Sequence, residues 1–205
     1  AAEREKLSEA DRAQMEVVLR ADKDAPMADL ADVMDASRRA HAFRLKLTAE
    51  ASDPGIVRML PPDPLRLPAD SKVKVLVPDQ AGNMGTLHIE ERNLFVVRVD
   101  VSGTVIAGVA SGPQSVSDRE LPGLIKSFVL NAADDPGMAE KTLTEIALPD
   151  GRTMNYPVSE GIVSLQVSPG ASFGRYLEVQ RLIARAFDSI RDDLSQRQFG
   201  ADYAL

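Results

Sequence analysis

The sequence contains no cysteine and no tryptophan, and aromatic residues make up only 4% of it. The lack of cysteine excludes disulfide bonds, thiolate nucleophiles and zinc sites with thiolate ligands. No apolar run approaches the roughly 20 residues that span a bilayer, and no secretory signal peptide is visible. We therefore expect these 205 residues to form a soluble chain, which leaves open a membrane anchor outside them.

Positive charge is also scarce. The chain has 24 Lys and Arg against 31 Asp and Glu, which gives a net charge of −7. Contacts to phosphate require clustered Lys and Arg, so this balance excludes a general nucleic-acid-binding surface. The 44% of hydrophobic and 27% of charged residues are typical of a globular protein, and 205 residues suffice for one medium domain or two small ones.

Residues suited to catalysis are few. The two histidines, His41 and His88, lie in different predicted elements and have no evident serine or carboxylate partner. A catalytic triad or a zinc site needs such side chains to converge, so structural or surface roles are favoured. The loop 79–85, DQAGNMG, lacks the Lys-Ser/Thr of a phosphate-binding loop, which favours a hairpin loop. We predict that the protein is not an enzyme and has no catalytic, cofactor-binding or metal-binding residues.

Aspartates are dense around the start of the first predicted helix, at Asp22, Asp24, Asp29, Asp32 and Asp35. One interpretation is a solvated acidic face, with Asp22 and Asp24 beside the positive end of the helix. The other is a cation site. The spacing of an EF-hand loop is missing, which favours the acidic face.

The main recognisable unit is a strand followed by a long helix, within residues 161–199. The apolar run 162–167 is typical of a buried strand, and Ser168-Pro169-Gly170 ends it. An amphipathic helix follows, with Ser172 as its N-cap and Gly200 as its stop. Near the start of the chain, residues 15–47 predict a strand, a helix that begins at Pro26, and a second strand.

Between these units lie a proline-rich segment and several hairpins. Residues 52–71 contain five prolines, which predict a surface linker that continues neither helix nor sheet. Hairpins are predicted at 73–90, 94–109 and 142–158, and Ser117–Glu120 matches a capping box at the start of another helix. The predicted division of the chain is a first module at 1–51, a linker at 52–72 and a second module at 73–205.

The two ends of the chain echo each other. Residues 17–40 can be laid on residues 163–186 without gaps, so that Leu19 meets Leu165, Ala25 meets Ala171 and Arg39-Ala40 meets Arg185-Ala186. Identity is low, but strand, turn and apolar helical stripe keep register. This pattern predicts two copies of one module.

The first copy resembles the C-terminal signature of the ExbD/TolR biopolymer-transport family. A strand ending in Ala21-Asp22 precedes a helix that carries Val33-Met34-Asp35-Ala36, as in that family. The second copy resembles a divergent branch whose last helix continues into a charged tail. The resemblance implies an α+β fold of small mixed sheets with two helices packed on one face, here duplicated or pseudo-dimeric. The first copy lacks the family's opening hairpin and the second its closing strand. Either the two copies complete one another as a pseudo-dimer in one chain, or the sequence joins segments of two subunits or omits stretches between them.

The same resemblance implies the periplasmic domain of an inner-membrane motor driven by the proton gradient. Its expected partners are an ExbB/TolQ/MotA-like channel, reached through a transmembrane anchor absent from this sequence, a TonB/TolA-like protein, and a second ExbD/TolR-like module in a dimer. The family's proton-carrying Asp lies in that anchor and corresponds to no residue here. The alternative is a cell-envelope anchor that binds peptidoglycan in a groove between the copies.

The predicted contact surfaces are the edges of two strands and the outer faces of the helices at 26–40 and 173–197. The strands, 43–47 and 96–101, could offer free edges to a partner or to a second copy, although ordinary pairing inside the domain is favoured. The predicted contact residues are Phe43, Leu45, Leu47, Val97 and Val99 on the strands, and Arg175, Glu178, Arg181 and Arg185 on the long helix.

Overall fold

The computed structural model describes residues 16–40, 44–49, 55–59, 72–78, 84–109, 112–147, 151–200 and 202–203. The elements in chain order are β1 (Glu16–Arg20), α1 (Met27–Arg39), β2 (Arg44–Thr48), β3 (Ile56–Met59), β4 (Lys72–Pro78), β5 (Met84–Glu90), a 3₁₀ turn (Glu91–Asn93), β6 (Leu94–Val99), β7 (Val105–Val109), β8 (Gln114–Val116), α2 (Leu121–Leu130), β9 (Lys141–Ala147), β10 (Thr153–Ser159), β11 (Ile162–Val167) and α3 (Phe173–Phe199). The predicted α+β class is confirmed.

The first sheet has the strand order β1-β2-β3. β1 runs parallel to β2, with Leu19 opposite Leu47, and the connection between them contains α1, as a parallel pair requires. The predicted apolar stripe of α1 was Met27, Leu30, Ala31 and Met34. Met27, Leu30 and Met34, at spacings of three and four, are its buried apolar residues, whereas Ala31 is exposed.

The predicted linker contains a strand that the proline count concealed. Residues 56–59, Ile-Val-Arg-Met, form β3 and pair antiparallel with β2. The prediction that no part of 52–71 continues a sheet is wrong, because its prolines lie at 54, 61, 62, 64 and 68 and leave this short β-branched run free to pair.

The second sheet has the order β11-β6-β7-β8. Asn93 contacts Glu160, Arg98 contacts Gln166, and the Ser168 N–H donates to the Val99 carbonyl at 2.8 Å. These partner numbers increase together, so β6 and β11 run parallel. The predicted hairpin β6–β7 turns at 100–103, where the Gly103 N–H donates to the Asp100 carbonyl and Gly103 has φ +84°.

The predicted capping box precedes α2 and forms only in part, because the N-cap residue is Glu120 and no side chain caps the N–H groups of the helix. The Glu120 carboxylate accepts hydrogen bonds from the Ser117 hydroxyl at 2.6 Å and from the Ser117 N–H at 3.0 Å. The Ser117 hydroxyl bond, with the backbone bond second, holds the pKa of the Glu120 carboxyl below its ordinary value of 4.5. Further along α2, Phe128 is buried with its ring centroid 5.2 Å from that of Phe95 on β6.

The other two predicted hairpins also form. β4 pairs with β5, and β9 pairs antiparallel with β10 from Lys141↔Ser159 to Ala147↔Thr153. The two ends of α3 follow the prediction as well. The Ser172 hydroxyl accepts the Arg175 N–H at 3.3 Å, and Gly200 ends the helix with φ +64°.

The chain divides into two compact units, each built from separate segments. One comprises residues 1–88, 99–103 and 167–181, and the other comprises residues 89–98, 104–166 and 182–205. The core of the first includes Leu45, Leu47 and Phe173, and the core of the second includes Ile125 and Phe128. The predicted modules, residues 1–51 and 73–205, are copies of a repeat and not compact units. Their division therefore stays a prediction.

Candidate functional site

The predicted echo recurs in the first residues of the elements and not in their last ones, since α1 ends at Arg39 and α3 at Phe199. β1 begins at Glu16 and β11 at Ile162, while α1 begins at Met27 and α3 at Phe173. Both pairs of first residues, 16 and 162 and then 27 and 173, are 146 residues apart. Residues 17–40 and 163–186, which match without gaps, are separated by the same interval. The turns agree too, because Ala25 N–H donates to Asp22 and Ala171 N–H donates to Ser168, each to the carbonyl and each at 3.0 Å.

The two turns face each other at equivalent positions. Pro26 and Ser172, which are 146 residues apart, form an antiparallel β-bridge. Two bonds make this bridge: the Met27 N–H donates to the Ala171 carbonyl at 2.9 Å, and the Phe173 N–H donates to the Ala25 carbonyl at 2.8 Å. If each residue is replaced by the equivalent residue of the other segment, 146 positions away, the Met27–Ala171 bond becomes the Phe173–Ala25 bond.

A second pair of bonds obeys the same rule. The Ala28 N–H donates to the Pro169 carbonyl at 3.0 Å, and the Gly174 N–H donates to the Lys23 carbonyl at 2.7 Å. All four bonds lie within one compact unit. The hydrogen bonds between the two segments therefore have local two-fold symmetry. We call the contacts between residues 23–28 and residues 169–174 the dyad junction.

The dyad junction supplies acceptors that each helix lacks by itself. The first N–H groups of an α-helix have no partner inside the helix. In α1 no side chain caps these groups, since its N-cap is Pro26. Here the carbonyls of each turn accept the first two N–H groups of the other helix, so the two segments stabilise one another directly.

A cleft of about 440 Å³ opens beside the dyad junction, within the same unit. Its lining includes Lys23 and Asp24 from the turn before α1, and Arg175 and Glu178 from the start of α3. The Arg175 Nε donates to the Gly103 carbonyl at 2.8 Å, and its Nη1 lies 3.1 Å from the Glu178 carboxylate. We call these residues, with Gly103, the dyad cleft.

The charged side chains of the dyad cleft differ in whether they have a hydrogen-bond or ion-pair partner. Arg175 is held in place by the hydrogen bond and the ion pair described above, and only 19% of its side chain is exposed. In the part of the chain that the structure describes, the side chains of Lys23 and Asp24 make no hydrogen bond or ion pair. The charges of Arg175 and Glu178 are thus paired, whereas Lys23 and Asp24 offer one charge of each sign that has no partner among the described residues.

The predicted strand contacts lie elsewhere. Leu45 and Leu47 on β2, and Val97 and Val99 on β6, are at most 2% exposed. Both strands have a neighbour on either side, so the prediction that they offer free edges is wrong and ordinary pairing holds. Alternating polarity reports the two faces of a strand and not its hydrogen-bonded edges. Phe43 lies outside the described residues.

The predicted helix contacts are only partly brought together. Arg175 and Glu178 meet in the dyad cleft. Arg181 is half-buried in the same unit, whereas Arg185 is exposed and belongs to the other unit. The role of these four residues in binding a partner stays a prediction.

Sequence reasoning missed Lys23 as part of a site, and it missed a second cavity. In the other unit an apolar pocket of about 280 Å³ is lined by Ile146, Met154, Tyr156, Leu194 and Tyr203. The alternation of Met154 and Tyr156 on one strand face was the only available signal for it. Across the described ranges, no three His, Cys, Asp or Glu side chains are grouped to hold a metal ion.

No family model, curated protein or solved structure matches the chain. The likeness to ExbD/TolR proteins therefore rests on the residues quoted for it. Among the helices of the described segments, none combines the length and apolar character that a bilayer crossing requires.

Proposed function

We propose that the chain is an ExbD/TolR-like periplasmic component of a motor in the bacterial inner membrane, driven by the proton-motive force. It contacts a TonB/TolA-like protein and transmits energy to it without catalysis. The observation that carries this proposal is the reciprocal bonding of the dyad junction. It supports the idea that two copies of one module, inside one chain, meet as the two subunits of a dimer would.

An extended partner would add to the free edge of β1. In the described part of the sheet, β2 is the only strand beside β1. The Ala21 N–H donates to the Thr48 carbonyl of β2, and backbone polar groups alternate along a strand, so the Val18 N–H faces outward. Val18 is 57% exposed. An unpaired edge with an exposed apolar side chain is a surface on which an extended segment can pair.

The test compares two substitutions at Val18. Val18→Pro removes the outward N–H and leaves the bonds to β2, because proline is tolerated on an edge strand. Val18→Thr keeps both the N–H and the β-branched shape and is the matched control. Binding of the periplasmic segment of a TonB-like protein from the same organism is measured by calorimetry. We expect about tenfold weaker binding for Val18→Pro, or about 1.4 kcal/mol, and no change for Val18→Thr. Equal binding of both variants, or no binding at all, contradicts the proposal.

A second candidate function is a peptidoglycan-binding cell-envelope anchor. The dyad cleft favours it, because this groove between the two segments carries both acidic and basic side chains. Co-sedimentation with purified peptidoglycan sacculi tests this candidate. We expect the chain to pellet with sacculi and to remain in solution after enzymatic digestion of the peptidoglycan. A chain that stays in the supernatant with intact sacculi excludes the anchor function.

A further inference from the structure

We propose that the dyad cleft binds a small zwitterion, with Lys23 receiving its carboxylate and Asp24 its ammonium. An ammonium and a carboxylate occur together in a free amino acid, at the two ends of a short peptide, and in the peptide stem of peptidoglycan. The proposal deepens the second candidate function by naming the part of peptidoglycan that is bound. Only the proposal that the ligand comes from peptidoglycan rests on the anchor function.

The charges of the dyad cleft determine the class of ligand. The walls carry two basic and two acidic side chains, so a ligand of a single charge would meet an equal number of unfavourable partners. Arg175 and Glu178 neutralise each other, and the Gly103 carbonyl fixes the guanidinium. Lys23 and Asp24 are exposed, adjacent and opposite in charge, and their side chains have no partner within the described ranges. A zwitterion satisfies both at once.

The helix start does not offer an alternative anion site. The N–H groups of Phe173 and Gly174 already donate to the Ala25 and Lys23 carbonyls, and the Arg175 N–H donates to the Ser172 hydroxyl. A bound carboxylate must therefore be held by side chains. The cleft volume of about 440 Å³ lies in the usual range for small-molecule sites, roughly 300–1,000 Å³. Val101, which is 70% exposed in this cleft, provides an apolar surface for the rest of the ligand.

The site is present once, although the dyad junction is symmetric. The positions equivalent to Lys23 and Arg175 are Pro169 and Asp29, and the position equivalent to Glu178 is Asp32. A cleft built from these equivalents has no basic side chain. The backbone hydrogen bonds of the dyad junction are symmetric, but the charged side chains around them are not. We therefore expect one ligand per chain.

The experiment titrates the full chain, labelled for NMR, with four probes: alanyl-alanine, the same dipeptide acetylated and amidated at its ends, a disaccharide–tetrapeptide from peptidoglycan, and that disaccharide without peptide. We expect the free dipeptide and the disaccharide–tetrapeptide to shift the amide signals of Lys23, Asp24 and Arg175, and the blocked dipeptide and bare disaccharide to leave them unchanged. Lys23→Gln and Asp24→Asn should each weaken binding about threefold to fivefold, as expected for one partly exposed ion pair.

Matched controls and other outcomes complete the test. Asp29→Asn and Asp32→Asn, at the equivalent positions, should leave binding unchanged, and unfolding midpoints show whether each variant is folded. Equal binding of the blocked dipeptide, or unchanged binding by Lys23→Gln, overturns the proposal. Binding of the bare disaccharide alone also overturns it, while peptidoglycan recognition survives. Dipeptide binding without sacculus binding supports the cleft and excludes the second candidate function.

Discussion

At Gly174 the backbone of α3 passes so close to the turn at Lys23 that a side chain has little room. A Cβ atom there would lie 3.0 Å from the Lys23 carbonyl oxygen and 3.1 Å from the Lys23 Cβ. The equivalent position in the first segment is Ala28, which does carry a Cβ. The hydrogen bonds therefore follow the local two-fold symmetry, whereas the room for a side chain differs between the two equivalent positions.

This geometry gives the first prediction. Gly174→Val forces the turn and the helix apart, so we expect the free energy of unfolding to fall by about 1–3 kcal/mol. The control is Gly123→Ala in α2, where no atom lies within 4 Å of the added Cβ. That change should raise the free energy of unfolding by about 0.5–1 kcal/mol, because alanine favours the helix. Urea denaturation measures both, and a stable Gly174→Val variant would contradict the close contact.

Glu120 gives a second prediction at the residue scale. Its folded-state pKa lies below 4.5, because the Ser117 hydroxyl and N–H favour the carboxylate. The resulting stabilisation is complete above the unfolded pKa and is lost as the pH falls through the folded pKa. We expect Glu120→Gln to lower the urea midpoint at pH 7 and to match the wild type well below pH 4.5. Glu145→Gln, on the exposed face of β9, is the control. A midpoint difference that persists in acid contradicts the assignment.

At the scale of elements, Lys126 links α2 to α3 within one unit. Its Nζ lies 2.9 Å from the Ser189 hydroxyl and 2.7 Å from the Asp193 carboxylate. The hydrogen bond from Lys126 is the main cause of the lowered pKa of the Asp193 carboxyl, whose ordinary value is 3.8. Arg197 contributes less, from 3.8 Å.

We therefore expect Lys126→Met to raise the pKa of Asp193 toward its ordinary value, because both the hydrogen bond and the charge are lost. The carboxyl resonance of Asp193, followed by NMR as a function of pH, measures the change. Arg197→Met is the matched control and should raise this pKa less. An effect of Arg197→Met as large as that of Lys126→Met would show that the contact between α2 and α3 is not formed.

Elements with a clear period could be predicted from the sequence, and their neighbours could not. The stripe of α1, the cap and stop of α3, and the hairpin β9–β10 follow from local spacing and turn chemistry. β3 was missed because four residues between prolines give too short a pattern. The central positions of β2 and β6 depend on which strands lie beside them, and no local pattern records that.

The candidate site shows the same limit. The echo predicted equivalent positions, and the structure joins Pro26 to Ser172 at that interval. The dyad cleft was only generally foreseen, as a groove between copies. Its charges come from residues far apart in the chain, Lys23 and Arg175 among them, and each alone resembles an ordinary surface residue. Tertiary contact, and not local sequence, places them around one cleft.

For the whole molecule, the dyad junction predicts the oligomeric state. A single module leaves the first N–H groups of its helix without acceptors from its own turn, and a second copy of the chain is one source of such acceptors. Here the second segment supplies them within the same chain. We therefore expect a monomer of 22.2 kDa by size-exclusion chromatography with light scattering, with a mass independent of protein concentration.

The Gly174→Val variant makes this last prediction sharper. Weakening the junction inside one chain allows the segment 23–28 of one molecule to pair with the segment 169–174 of another, as in domain exchange. We expect this variant to form a dimer as its concentration rises, while Gly123→Ala stays monomeric like the wild type. A wild-type chain of twice the monomer mass at all concentrations would mean that a surface other than the dyad junction holds two copies together.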